Sequence, residues 1–552
     1  MTRDSRASPL AERVNDPGFT PSVRDVGALV ELLDDADRAP AVQRALGRVG
    51  APAVPILAAR LKGAPPPVRA RIVRALGRLA AHEATVGVLL AALGDADPKT
   101  RRNAAIALGH APRGRPDVED ALLNAWELDA RTEMHRSIAA ALGKAGTARS
   151  LPVLIAAADD EDAELSRIAA QASIMVERTG SRTGTERIDA ARRAAAALAV
   201  EVLARRGVED LLAEELSAVQ GVDEVRVAGP GRVTARLVGP MEVLFRARTM
   251  LSFRFPIEPE PLSEPGGLGA AVARAATGET ARAVFATWSP ASTRYRIAWA
   301  QGGHRRAETW SIARAIAARA PALVNDPTAS TWELVVSTQE RRAAVALAPR
   351  ALDDPRFAWR RQDVPAASHP TLAAALARVA GASANDVVWD PFVGSGAELI
   401  ERALLGPYAS LRGGDVDPRA LSAARANVET ARLPIVLEAA DALSRRPTGV
   451  TLVITNPPMG RRASRQAGLA EMLDAFVTHA ASVLEGGGRL VWIAPWPDRS
   501  RAAAARAELR LEWARTVDMG GFEAEMQRWA KPSIREAAEG STARRRASRG
   551  NR

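Results

Sequence analysis

The 552-residue sequence predicts three architectures in tandem: an N-terminal α-solenoid, a middle α+β module and a C-terminal doubly wound α/β domain. A short block, "RALGRVG" at 44–50, recurs as "RALGRLA" at 74–80, "IALGHAP" at 106–112 and "AALGKAG" at 140–146. Near residue 200 the helical period gives way to short alternating apolar runs separated by glycines. From residue 385 an apolar strand, a glycine turn and a helix are followed by further strands that end in Asp415, Asp441 and Asn456. These shifts place boundaries at 1–198, 199–365 and 366–532, with a basic tail at 533–552 expected to be disordered.

The repeat justifies the first architecture. Glycines 47, 77, 109 and 143 recur about every thirty residues, and apolar runs such as "VPILAARL" and "VGVLLAAL" lie between them. That period holds two short helices per unit, which is the unit of an α-solenoid. Small alanines and the glycines are expected to let successive helices approach closely and to end them. The segment "GDADPKTRRNAAIALG" at 94–109 resembles a HEAT repeat. A plain bundle of alanine-rich helices is the alternative. Neither carries catalytic residues, so 1–198 reads as a binding or scaffolding unit, with a protein partner as one use. Residues 178–196 read as a polar link into another helix.

Composition narrows the partners. The net charge is +11, and the basic residues are arginine apart from Lys62, Lys99, Lys144 and Lys531. Such a balance suits a polyanion, nucleic acid first. GC-rich coding also enriches arginine and alanine, so charge alone leaves both origins open. Cysteine is absent, which removes disulfides, thiolate metal sites and thiolate nucleophiles. The six histidines are scattered without metal-ligand spacing, so no metal is expected. No run of eighteen apolar residues predicts a membrane span, and the first residues lack the apolar core of a signal peptide. A cytoplasmic location is the expectation.

In the middle region, "RRGVEDLLAEEL" at 205–216 has helical spacing, and "VDEVRVAG" and "GRVTARLVG" have strand character. Later come a strand from Arg294, a basic glycine loop, an amphipathic helix to 321 and a strand at 330–338. These segments resemble the module that precedes the catalytic domain in THUMP-domain RNA methyltransferases, through Gly207 to Leu216, Tyr295-Arg296 and Asp326-Pro327 with Trp332. The resemblance implies that Arg296, Arg305 and Arg306 meet RNA phosphates. A solvated basic face is the competing reading.

The catalytic third opens with "NDVVWDPFVGSGAELIERALLG" at 385–406. Gly394 and Gly396 let backbone approach a ligand, but the third glycine of a dinucleotide fingerprint is absent, since position 399 is leucine. S-adenosylmethionine, with an amino-acid tail and a ribose, suits a glycine turn followed by acids. Asp415 can accept hydrogen bonds from ribose hydroxyls, and Asp441 from an adenine amine. The strand "VTLVIT" then runs into Asn456-Pro457-Pro458-Met459. The Asn456 oxygen and the Pro457 carbonyl can accept both hydrogens of an exocyclic amine and so turn its lone pair toward an electrophile.

Together, "DPFVGSGAELIERAL", "HPTLAAALARVAG" and "TNPPMGRR" resemble the class I methyltransferase domain of THUMP-associated RNA methylases. The resemblance implies a mixed seven-stranded Rossmann-like sheet and S-adenosylmethionine as cofactor. It implies cofactor contacts from Asp390, Phe392, Gly394, Ser395, Gly396, Asp415, Asp441 and Asn456, and a catalytic tip formed by Asn456, Pro457, Pro458 and Met459. The implied reaction is methylation of guanine N2 in tRNA or rRNA. Met459 stands where such enzymes usually carry an aromatic residue that stacks on a flipped base, so Phe392 or Trp496 becomes the candidate to stack instead. Arg461 and Arg462 are placed to hold phosphates. An adenine-N6 nucleic-acid methyltransferase, and a scaffold with a degenerate methyltransferase domain, are the alternatives.

Overall fold

The computed structural model describes residues 10–16, 19–180, 187–262, 267–289, 293–303, 305–365, 367–460 and 468–533. The chain divides into two compact units, 1–185 and 186–552. The expected tail beyond Ser533 and residues 181–186 of the link read at 178–196 lie outside the described residues.

In the first unit, helices Val26–Glu31, Val54–Leu61, Glu83–Ala92, Pro116–Leu128 and Leu151–Ala157 each precede a longer one. The longer helices are Ala39–Val49, Pro66–Gly77, Pro98–Leu108, Thr132–Ala145 and Ala163–Gly180, and each packs on the next. One apolar cluster runs through the stack, from Val14 to Val176. The repeat glycines are the points of closest approach. A methyl placed on Gly109 would sit 2.9 Å from the Ala141 Cα, and one on Gly143 would sit 2.9 Å from the Ala172 Cα. Gly77 is the last residue of its helix and Gly109 caps the next one, as expected of a stop, whereas the other two do not end theirs. Gly47 and Gly143 lie inside theirs, and none of the four adopts a positive φ. Ion pairs lock consecutive repeats, among them Arg69 to Asp95 at 2.9 Å and Arg101 to Asp129 at 3.2 Å.

The second unit begins without the expected helix. Residues 187–197 are irregular and lead into β1 (Leu198–Leu203). With β2 (Val222–Gly229), β3 (Arg232–Leu237), β4 (Ser252–Pro261), β5 (Thr293–Trp299), β6 (Leu323–Asn325), β7 (Trp332–Gln339) and β8 (Arg342–Pro349) it forms one sheet. Its order is β2-β3-β1-β4-β8-β7-β5-β6. The helix read at 205–216 forms as Glu209–Ser217.

The second sheet contains β9 (Val387–Asp390), β10 (Ser410–Asp415), β11 (Ile435–Ala439), β12 (Val450–Thr455), β13 (Leu484–Ala494), β14 (Arg510–Asp518) and β15 (Glu523–Ala530). Its order is β11-β10-β9-β12-β13-β15-β14, with β9 to β13 parallel and β15 antiparallel to both neighbours. Sequence order reverses between β9 and β12, which opens a crevice at their carboxyl ends. At the opposite ends, the buried Asp386 accepts from Arg402 at 2.6 Å and from Arg489 at 2.7 Å, tying the Ala397–Leu405 helix to β13. A single apolar cluster spans both sheets, from Ile188 to Met526, so no break in the core separates 199–365 from 366–532. Among the described residues, no helix is long and apolar enough to cross a membrane.

Candidate active site

A cavity of 820 Å³ opens at the carboxyl ends of β9 and β12. The glycine turn forms one wall. Gly394 has φ +52° and Gly396 φ +85°, a left-handed backbone that side chains with a Cβ adopt only under strain. The Gly394 N–H donates to the Asp415 carboxylate at 3.0 Å, so the end of β10 is stitched to the turn. From behind, the fully buried Asn427 amide donates to the Ser395 carbonyl at 2.9 Å and accepts from the Arg361 and Gln362 N–H groups. The turn is thus held open by an amide that does not itself line the cavity.

Asn456 forms the opposite wall, where β12 ends. Its amide Nδ2 donates to Ser368 Oγ at 2.8 Å, and Ser368 Oγ donates to the Glu398 carboxylate. An ionised carboxylate only accepts, so the serine proton is directed at Glu398 and its lone pair at Asn456. That order fixes the amide orientation: N–H groups toward Ser368, and Oδ1 accepting from nothing among the described residues. Burial pushes Glu398 up to about 6, against the lowering effect of its bond from Ser368.

Two orphaned buried polar atoms belong to residues that line the cavity, Asn456 Oδ1 and Ser395 Oγ, and a third, Asp390 Oδ2, lies beneath the turn. Buried polar atoms without partners are uncommon, and two at one cavity mark a place for a polar ligand. A molecule with amine, hydroxyl and carboxylate groups around an apolar ring fits that donor and acceptor set, and Phe392 and Met459 supply apolar wall.

The expected cofactor residues separate into two groups. Phe392, Gly394, Ser395, Asp415, Asp441 and Asn456 line the cavity, together with Pro457, Pro458 and Met459. Asp390 and Gly396 do not. Asp390 is fully buried beneath the turn, accepting from Thr455 Oγ1 at 2.6 Å and the Phe392 N–H at 3.1 Å. Burial, with Glu398 nearby, raises it well above the usual carboxylate range. Asp441 also accepts the Leu443 N–H at 2.8 Å. Phe392 lines the cavity and meets Phe476 edge-on at 5.1 Å, whereas Trp496 is not among the lining residues.

The arginines divide as well. Arg296 is held by Glu333 at 2.8 Å across the β5–β7 pair rather than projecting as a free charge. Arg305 and Arg306 are exposed, with the Arg305 guanidinium 4.7 Å above the Trp299 ring. Arg461 and Arg462 lie outside the described residues. Sequence reasoning missed Ser368, Glu398 and Asn427. The signal for Glu398 was present, since a carboxylate in the first turn after Gly396 starts where the strands end. No pattern marked Ser368, which the fold brings across 88 residues to Asn456. The described residues contain no cluster fit for a metal ion.

Residues 358–524 match the family described as "RMKL-like, methyltransferase domain". The chain carries a methyltransferase domain. Residues 54–112 and 86–175 match HEAT repeats. The tRNA (guanine(6)-N2)-methyltransferase of Thermus thermophilus is 29% identical over 349 residues, covering 58% of this chain and 96% of the relative. The tRNA (guanine(10)-N2)-dimethyltransferase of Methanothermobacter thermautotrophicus is 29% identical over 190 residues, covering 34% of this chain and 51% of the relative. The crystal structure of TrmN from Thermus thermophilus superposes with a TM-score of 0.50 at 26% identity, covering 60% of this chain and 99% of that one.

Proposed function

We propose that the protein is an S-adenosylmethionine-dependent methyltransferase that acts on the exocyclic N2 amine of guanine in RNA, tRNA first. The observation that carries this is the Asn456 oxygen, left without a partner at the tip of β12 while its amide nitrogen is held by Ser368. The two relatives named for guanine-N2 methylation of tRNA supply the base and the RNA class.

The residues that would hold the cofactor are Ser395 and the backbone of Gly394, with Asp415, Asp441 and Phe392 along the same wall. Asp390 and Gly396 would act from beneath by shaping the turn. When bound, S-adenosylmethionine supplies an electrophilic methyl on a sulfonium. The chain's own work is on the amine. A guanine amine is a poor nucleophile because its lone pair is delocalised into the ring. Asn456 Oδ1 and the Pro457 carbonyl would accept its two hydrogens, which favours a tetrahedral nitrogen and stabilises the positive charge that develops on it. Pro457 and Pro458 stiffen that tip and donate no competing N–H. Ser368 and Glu398 would act as positioning residues, keeping the oxygen rather than the nitrogen of Asn456 toward the base. Phe392 is the ring placed to stack in place of an aromatic at Met459.

In this reading 199–365 is a THUMP-like RNA-binding module and 366–532 the catalytic module. Arg305 and Arg306 are among its exposed cations, and Arg461 and Arg462 are assigned to phosphates from the sequence. The repeat unit supplies a binding surface. The reaction belongs in the cytoplasm with its RNA. Nucleoside mass spectrometry of tRNA from cells with and without the gene tests the proposal. Loss of an N2-methylguanosine, restored by wild type and not by Asn456→Ala, is expected. Loss of N6-methyladenosine instead would transfer the assignment to adenine.

A further inference from the structure

The repeat unit carries a groove of its own. It measures 710 Å³ and runs along the seam between helices Pro66–Gly77 and Pro98–Leu108, lined by Arg74, Arg78, Lys99, Arg102 and His110. The position after each repeat glycine is a base: Arg48, Arg78, His110 and Lys144, all exposed. Because the longer helices pack one on the next, the groove is the middle of a ladder with one basic rung per repeat. Stacked helices lie about 8–10 Å apart, so the four rungs extend over roughly 25–30 Å.

The unit as a whole carries nearly equal numbers of acids and bases, and the pairing pattern separates this face from the rest of it. Arg60, Arg69, Arg101 and Arg136 reach Asp34, Asp95, Asp129 and Asp162 and so join neighbouring repeats. Arg44, Arg74, Arg78, Lys99 and Lys144 reach no carboxylate among the described residues. Arg102 meets the exposed Glu133 only at 3.7 Å. Complementing helix dipoles does not account for the set, since Lys99 sits in the first turn of its helix, where the dipole opposes a cation. The rungs also feel one another: burial and then the Lys144 charge hold His110 below its ordinary value.

We infer that this ladder binds the sugar–phosphate backbone of the RNA that the catalytic domain methylates. Guanidinium and ammonium groups would engage non-bridging oxygens without reading bases. The inference rests on the RNA reading above. A chain of evenly spaced phosphates engages several rungs at once, whereas a free nucleotide engages one or two. Arginine predominates among the rungs and their flanks, and its planar fork matches phosphate.

The test compares the full chain with Arg78→Glu/Lys99→Glu/Arg102→Glu. The probe is tRNA from cells lacking the gene, titrated at several salt concentrations, with poly-glutamate as a second polyanion. The reversal is expected to weaken tRNA binding by about tenfold or more and to lower the slope of log affinity against log salt by about two to three. S-adenosylmethionine affinity and kcat at saturating tRNA should be unchanged. Unchanged tRNA affinity and slope, in a wild type that methylates tRNA, would overturn the inference. So would poly-glutamate binding the groove as tightly as tRNA, which would point to an acidic protein. A wild type that neither binds nor methylates RNA overturns the functional reading instead. Should the reversal unfold the solenoid, Arg78→Gln/Lys99→Gln/Arg102→Gln decides by the same criteria.

Discussion

Glu398 is where chemistry and stability oppose one another. Its folded value near 6 lies above the ordinary 4.5, so it contributes stability below pH 4.5 that is lost as pH rises through about 6. Glu398→Gln should therefore raise stability at pH 7 by about 2 kcal/mol, read as a higher Tm. The same change should lower kcat, because a neutral group at 398 can donate to Ser368 and free the serine proton to turn toward Asn456. The wild-type rate should fall as pH drops through about 6, whereas the variant should keep the low rate across that range. A pH profile of methyl transfer checks this, and a wild-type profile in Glu398→Gln would remove Glu398 from the mechanism. At the neighbouring tip, Met459→Tyr should restore a stacking face. With about 1–3 kcal/mol per stacked base, the KM for RNA should fall roughly tenfold or more at constant kcat. Of these residues Asn456 and Met459 were legible, because a lone amide between a strand and two prolines is a local signal. Ser368 was not, since its meaning lies in contacts made by distant chain.

At the scale of elements, the repeat glycines show how a small residue sets a helix interface. Gly143 receives the Ala172 backbone so closely that even a methyl displaces a helix. Gly143→Ala should cost about 1–3 kcal/mol, seen as a lower Tm for the repeat unit with methyl transfer chemistry unchanged. The period itself could be read in the sequence, but the glycines' role could not: a glycine near a helix end reads equally as a stop or as a contact. The strands tell a similar story. Those with alternating apolar residues were legible, and so was the strand–turn–helix unit at 385–406. β1 was hidden in the alanine-rich run before residue 200, where composition resembles the helices preceding it. Burial between β3 and β4 makes it a strand.

For the whole molecule, two compact units whose apolar residues cluster separately predict two cooperative unfolding events, one for 1–185 and one for 186–552. S-adenosylmethionine at about a hundred times its Kd should stabilise only the second, by about 2.7 kcal/mol. Scanning calorimetry with and without the cofactor checks this. A single transition, or an equal shift of both, would contradict it. No third event is expected, because the two sheets of the second unit share one core.

By itself the sequence determined the order of architectures, the glycine turn, the acids beyond it and the Asn-Pro-Pro tip. Each is written in consecutive residues whose spacing obeys local backbone geometry. Only the tertiary structure decided which of those groups line the cavity. It buried Asp390 beneath the turn, paired Arg296 with Glu333, and brought Ser368 and Glu398 to orient Asn456. Such choices depend on contacts between residues far apart in the chain, where burial and hydrogen-bond satisfaction outweigh any local preference.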